Sequence, residues 1–292
     1  MTRLHGILCA MVTPMTADQQ VDEAGTRRLV ELLIEAGVHG LIPTGSTGEF
    51  PTLTLDERKR VTETVIQAAR DRVPVIPHTA AMATRDVVEL SRHAQRAGAQ
   101  GLMIVPPYYE PLSEAEVRVH YAAVAAATDL PIMLYNIPSA SGFNFRPEFV
   151  LALHAEMPAI RYVKDSTGDA RALQAMIGAF GDRIGVFNGW DTLSLLGLVA
   201  GTAGCVWGAV NVMPRECVAL YDLVAGKHDL VGASELWARM MPANAFFERE
   251  GYVAAVKAGT MLAGRPAGPP RAPIQPLSPA KVEELRRLLA RL

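Results

Sequence analysis

Apolar and polar positions follow two alternating rhythms from the start of this chain to about residue 210. Short runs dominated by Val, Ile, Leu and Met cover residues 6–15, 40–44, 74–79, 101–107, 131–138, 160–166, 184–189 and 204–209. Each is followed by a longer stretch with the spacing of an amphipathic helix: 22–36, 55–72, 84–97, 113–127, 147–155, 170–180, 192–200 and 215–225. Thr54 and Glu57 fit a capping box at the start of the second helix. Strands apolar at nearly every position imply burial on both faces, as in a parallel sheet covered by helices. Eight strand–helix pairs predict an α/β fold, a (β/α)8 TIM barrel. A doubly wound sheet is the rival, but it would carry a Gly-rich phosphate turn after its first strand. That position reads Thr13-Pro14-Met15, which offers no such cradle.

After residue 228 the rhythm becomes helical only, over 230–249, 252–262 and 279–292, with a loop rich in Pro and Gly at 264–276. The apolar faces of these helices need covering. Residues 227–292 are therefore read as a C-terminal helical extension packed on a catalytic barrel of residues 1–226, not as an independent domain. No repeat beyond the strand–helix unit is evident.

Composition narrows the function. Of 292 residues half are hydrophobic and a fifth charged, with a formal net charge of −2, the profile of a packed globular protein. No basic stripe suggests nucleic acid, no run is long enough for a membrane span, and no leader pattern is visible. A cytoplasmic location is expected. Cys9, Cys205 and Cys217 read as reduced buried thiols. The seven histidines show no H-x-H or H-E-x-x-H spacing, so no metal is expected.

In a barrel of this kind catalysis occurs at the C-terminal ends of the strands. Lys164 is the sharpest candidate there. Of the five lysines, Lys59, Lys227, Lys257 and Lys281 fall on predicted helices or connections, where a solvated charge is ordinary; Lys164 alone ends an apolar strand. A lysine facing a barrel interior loses hydration, which favours the neutral amine, and a neutral amine can attack a ketone. The alternative is an ion pair with Asp165 or Asp191. Tyr135 ends the neighbouring strand and could carry protons for Lys164, or it could be a core tyrosine bonded to the backbone. Gly45-Ser46-Thr47-Gly48 offers hydroxyls and amides for a carboxylate, or is a capping turn. His78 is expected to be a donor behind the site or a satisfied polar group.

Gly45-Ser46-Thr47-Gly48-Glu49, Tyr135-Asn136-Ile137-Pro138 with Ser141-Gly142, and Lys164-Asp165-Ser166-Thr167-Gly168-Asp169, in this order and spacing, resemble the N-acetylneuraminate lyase and dihydrodipicolinate synthase family. Pro106-Pro107-Tyr108-Tyr109 and Asn188-Gly189-Trp190-Asp191 extend the resemblance, which runs from Gly6 to the C-terminal helix. It implies that Lys164 forms a Schiff base with pyruvate, that Tyr135 shuttles protons, and that Ser46 and Thr47 hold the pyruvate carboxylate. It also implies that Tyr109 reaches across a dimer interface towards Ser46 in a tetramer built from two dimers. Val206 and Gly189 would line the site, with Ser166 and Asp191 binding substrate and no cofactor beyond the imine itself.

Departures bear on the second substrate. Synthases of this family have an arginine for a semialdehyde carboxylate where this chain has Ala140. The lyase branch has an acidic residue and a serine where Thr192 and Gly208 stand. The expected substrates are therefore a 2-oxo acid and an aldehyde, as in cleavage of a 2-keto-3-deoxy sugar acid or 4-hydroxy-2-oxoglutarate. Asp191, Ser166 and Thr192 would bind its hydroxyls or serve as helix caps. Dihydrodipicolinate synthase and a sugar-acid dehydratase are the alternatives, and a non-catalytic 2-oxo acid binder is a further one.

Overall fold

The computed structural model describes residues 3–292. Seven parallel strands form one sheet in the order β2-β1-β7-β6-β5-β4-β3. They are β1 Gly6–Ala10, β2 Gly40–Ile42, β3 Leu102–Ile104, β4 Ile132–Asn136, β5 Ile160–Asp165, β6 Gly185–Asn188 and β7 Gly204–Trp207. The space between β2 and β3 is filled by the predicted third strand, 74–79, which pairs only through single parallel bridges, Leu41 with Val75 and His78 with Met103. Its sequence explains the broken ladder. Pro74 and Pro77 have no N–H to donate, although their carbonyls accept from Leu41 at 2.9 Å and Met103 at 3.0 Å. The predicted (β/α)8 barrel is thus present, with one stave half bonded.

The outer helices are α1 Glu23–Glu35, α2 Leu55–Ala69, α3 Thr84–Ala97, α4 Glu114–Ala125, a short α5 Pro138–Ser141, α6 Pro147–Glu156, α7 Ala170–Phe180, α8 Ser194–Val199 and α9 Pro214–Tyr221. The stretch predicted as one helix at 192–200 opens with a 3-10 turn, Asp191–Leu193, and the one at 215–225 ends in a π turn, Asp222–Gly226. The capping box is formed: Glu57 N donates to Thr54 Oγ1 at 3.1 Å and Thr54 N to Glu57 Oε2 at 2.8 Å.

Three helices follow the barrel: α10 Leu230–Arg249, α11 Tyr252–Leu262 and α12 Pro279–Leu289. Alternate residues of β1 face two different cores. Leu8 and Ala10 join Ile42, Ile76 and Val206. Ile7 and Cys9 join Trp207 and the fully buried Phe246, Phe247 and Val256 of the C-terminal helices. Cys9, Cys205 and Cys217 are buried free thiols. No helix among the described residues is long and apolar enough to cross a membrane.

Candidate active site

Strand register brings the leading candidates together. Tyr135 on β4 pairs with Lys164 on β5, and Lys164 pairs with Phe187 on β6, so adjacent strands present phenol and amine at one depth. Lys164 Nζ lies 4.0 Å from the centre of the Tyr135 ring, and the two residues are only 5% and 3% exposed. Among the described residues Lys164 has neither an ion-pair nor a hydrogen-bond partner, unlike Lys59, Lys257 and Lys281. Asp165 is engaged elsewhere: its carboxylate accepts from Asn136 Nδ2 and Thr167 Oγ1, each at 2.8 Å. The core tyrosines behave differently from Tyr135. The Tyr121 hydroxyl donates to the Ile104 carbonyl and that of Tyr162 accepts from Leu4 N, whereas the Tyr135 hydroxyl has no such partner among the described residues.

Gly189, after β6, sits against this pair. A β-carbon there would lie 2.5 Å from Lys164 Cε and closer still to Ser166 Oγ. Ser166 Oγ donates to the Gly189 carbonyl at 2.8 Å. Val206, on β7 in register with Leu8, is fully buried.

The turn after β2 carries the expected carboxylate-binding hydroxyls, Ser46 exposed and Thr47 buried. Gly48 has little room for a side chain, because a β-carbon would meet Met11 O at 3.0 Å and Thr44 N at 3.1 Å. Thr47 lies beside Gly208, and Gly208 beside Tyr252.

Tyr252, at the start of α11, and Glu248, near the end of α10, are residues that sequence reasoning missed. The Tyr252 hydroxyl is 2.8 and 2.9 Å from the two Asp191 oxygens and accepts from Gly208 N at 3.0 Å. Burial raises the Asp191 carboxyl to about 7, against the lowering effects of the Tyr252 hydrogen bond and the Lys164 charge. Burial also holds the Tyr252 hydroxyl well above its usual range, reinforced by Asp191. Thr192 donates through N and Oγ1 to Glu248, each at 2.8 Å. Asp191, Ser166 and Thr192 thus all have partners within the chain.

His78 is buried, with its ring edge-on to Tyr135 at 6.2 Å. Its Nδ1 is 3.2 Å from Thr44 O. A carbonyl only accepts, so the neutral ring carries its proton on Nδ1. Burial, then the Arg58 and Lys164 charges, hold the imidazole well below its usual pKa. Tyr109 stands apart from this cluster, 80% exposed.

One expectation is overturned. Lys257 is not a solvated helix lysine but fully buried, paired at 2.7 Å with Glu49. The two residues are 208 positions apart, so nothing local in the sequence shows that Lys257 faces inward.

A cavity of about 790 Å³ opens among strand beginnings at the opposite end of the barrel, beside Arg3, His39, Arg161 and Arg183. Converging groups, not volume, mark the candidate site. Among the described residues no three His, Cys, Asp or Glu side chains group as metal ligands.

The chain matches, over residues 3–292, the family described as the dihydrodipicolinate synthetase family. It is 39% identical over 240 residues to a 4-hydroxy-tetrahydrodipicolinate synthase of Salinibacter ruber, covering 82% of this chain and 79% of the relative. The enzyme of that name from Acidiphilium cryptum is 35% identical over 288 residues, covering 99% and 98%. Among solved structures it is similar to YagE, a prophage protein of the dihydrodipicolinic acid synthase family from E. coli K12 in complex with pyruvate. The TM-score is 0.95, with 32% identity and 99% and 98% of the two chains covered.

Proposed function

The chain belongs to the dihydrodipicolinate synthetase family, and from that premise we propose that it is a class I lyase whose Lys164 forms an imine with pyruvate. The observation that carries this reading is the buried Lys164 amine over the Tyr135 ring at 4.0 Å.

The chemistry follows from the groups present. The Lys164 amine adds to the C2 ketone of a 2-oxo acid whose carboxylate is held by Ser46 and Thr47. Tyr135 gives its phenol proton to the departing hydroxyl, water leaves, and the protonated imine that results withdraws electrons from C3. In the cleaving direction the C4 hydroxyl gives up its proton to Tyr135 and the C3–C4 bond breaks, leaving an aldehyde and an enamine. Protonation at C3 and hydrolysis release pyruvate and restore the amine. In the joining direction the enamine attacks an aldehyde carbonyl and Tyr135 returns the proton. Gly189 leaves room beside the amine.

Two observations point to different partners for pyruvate. The names of the relatives favour condensation with a semialdehyde, the reaction of a 4-hydroxy-tetrahydrodipicolinate synthase. Ala140, standing where that reaction's arginine is expected, favours an aldehyde without a carboxylate, and hence cleavage of a hydroxylated 2-oxo acid such as a 2-keto-3-deoxy sugar acid. Parallel assays with pyruvate plus aspartate semialdehyde, and with sugar-acid substrates, separate the two readings. The exposed Tyr109 suits contact with a second copy of the chain in a dimer of dimers, which sedimentation would report.

Borohydride reduction in the presence of pyruvate tests the central step. A covalent adduct on Lys164 is expected in the parent, with no adduct and no turnover in Lys164→Ala. A parent that traps no pyruvate, or a Lys164→Ala variant that still turns over, removes the mechanism.

A further inference from the structure

The turn assigned to the carboxylate is strained at both ends. Thr44 has φ 55° and Glu49 φ 60°, the left-handed region that costs a residue with a β-carbon on the order of 1–2 kcal/mol. Such conformations persist only where the surroundings over-determine them. At the first end, Thr44 Oγ1 donates to the His78 carbonyl at 3.1 Å.

At the other end the restraint comes from the C-terminal extension. Glu49 Oε1 accepts from Lys257 Nζ at 2.7 Å, and Oε2 accepts from Arg271 N at 2.6 Å. Lys257 directs two further hydrogen bonds to the carbonyls of Thr13, at 3.1 Å, and Pro269, at 2.7 Å. Both charged side chains are fully buried. Thr13 closes the circuit by donating its hydroxyl to the Gly48 carbonyl at 2.7 Å.

Stability alone is a poor reason for this arrangement, since an apolar pair of similar volume often replaces a buried ion pair without loss. An ion pair with every partner satisfied does specify one geometry. The geometry it specifies here is that of the Gly45-Ser46-Thr47-Gly48 turn. We propose that Glu49 and Lys257 are positioning residues that lock this turn, from α11, into the conformation that receives the pyruvate carboxylate. Neither touches the substrate. The inference rests on the reading that Ser46 and Thr47 hold pyruvate.

The test is the pyruvate concentration giving half-maximal borohydride trapping, with KM and kcat, in the parent, Glu49→Gln, Lys257→Met and the double variant. Each single variant leaves buried polar groups unpaired and lowers the melting temperature. The double variant regains much of that loss, yet needs about tenfold more pyruvate or beyond, with maximal trapping unchanged. A merely structural pair would restore both together, so a folded double variant with the parent's half-saturation overturns the proposal.

Should the double variant not fold, Thr13→Val removes only the hydroxyl on Gly48 and Glu49→Asp keeps the charge while shortening its reach. Both are expected to raise half-saturation several-fold, and parent-like values in both overturn the proposal. A parent that traps no pyruvate would instead sink the imine reading, whereas trapping on Lys164 with unmoved variants sinks the positioning role alone.

Discussion

At position 189 the barrel end tolerates no side chain. A β-carbon would sit 2.5 Å from Lys164 Cε, so Gly189→Ala must displace the amine. Overpacking costs about 1–3 kcal/mol, and misplacing a reactive group by about 1 Å can cost about 100-fold in rate. Gly189→Ala is therefore expected to lose kcat about 100-fold while remaining folded; steady-state kinetics and a melting curve together check this. Asp191 makes a pH prediction. Its carboxyl stands at about 7 in the folded protein against about 3.9 in an unfolded chain. Between those values the native state binds more protons, so its contribution to stability is full at low pH and is lost as pH rises through about 7. Asp191→Asn does not titrate. Melting temperatures from about pH 5 to about pH 8 should fall less in Asp191→Asn than in the parent, and equal slopes would refute the assignment.

Among the elements, α2 shows how one side chain serves two structures. Glu57 completes the capping box with Thr54 and also meets Arg271 through two hydrogen bonds, Oε1 to Nη2 at 2.9 Å and Oε2 to Nη1 at 2.8 Å. The Arg271 hydrogen bonds hold the Glu57 carboxyl below the usual carboxylate range. Thr54→Ala removes only the cap and is expected to cost about 1 kcal/mol. Glu57→Gln also breaks the link to the C-terminal extension and should cost more. Denaturant titration of Glu57→Gln, Arg271→Met and the double variant is expected to give a coupling of about 1 kcal/mol or more. Additivity would mean that the link contributes nothing. The stave at 74–79 joins the barrel through single bridges on either side. Two prolines interrupt its ladder, yet its apolar residues and its place between β2 and β3 still complete the ring.

For the whole molecule, the decisive fact is that barrel and extension share one core. Ile7, Trp207, Phe246, Phe247 and Val256 belong to the same buried cluster. Phe247→Ala should cost about 3–5 kcal/mol and, despite lying outside the barrel, lower a single melting transition for the entire chain. A chain ending at Gly226 would expose that cluster and lose Tyr252 and Lys257. It is expected to be insoluble or to lack native near-ultraviolet dichroism; a soluble, native-like fragment would show that the barrel stands without the extension.

By itself the sequence determined what repeats locally. The alternation of apolar runs with helical spacing is written residue by residue, because strand and helix bury side chains at fixed periods. Lys164 and Tyr135 were legible for the same reason, each closing an apolar strand where barrel geometry turns sequence order into proximity. Family membership was legible in the ordered motifs around them. Only the tertiary structure decided which distant groups meet: Lys257 with Glu49, Tyr252 with Asp191, Glu248 with Thr192. Those partners lie 56 to 208 residues apart. A helical residue's period says which face it shares with its neighbours, not what that face will meet; packing makes that choice, through the burial of area that no local window contains.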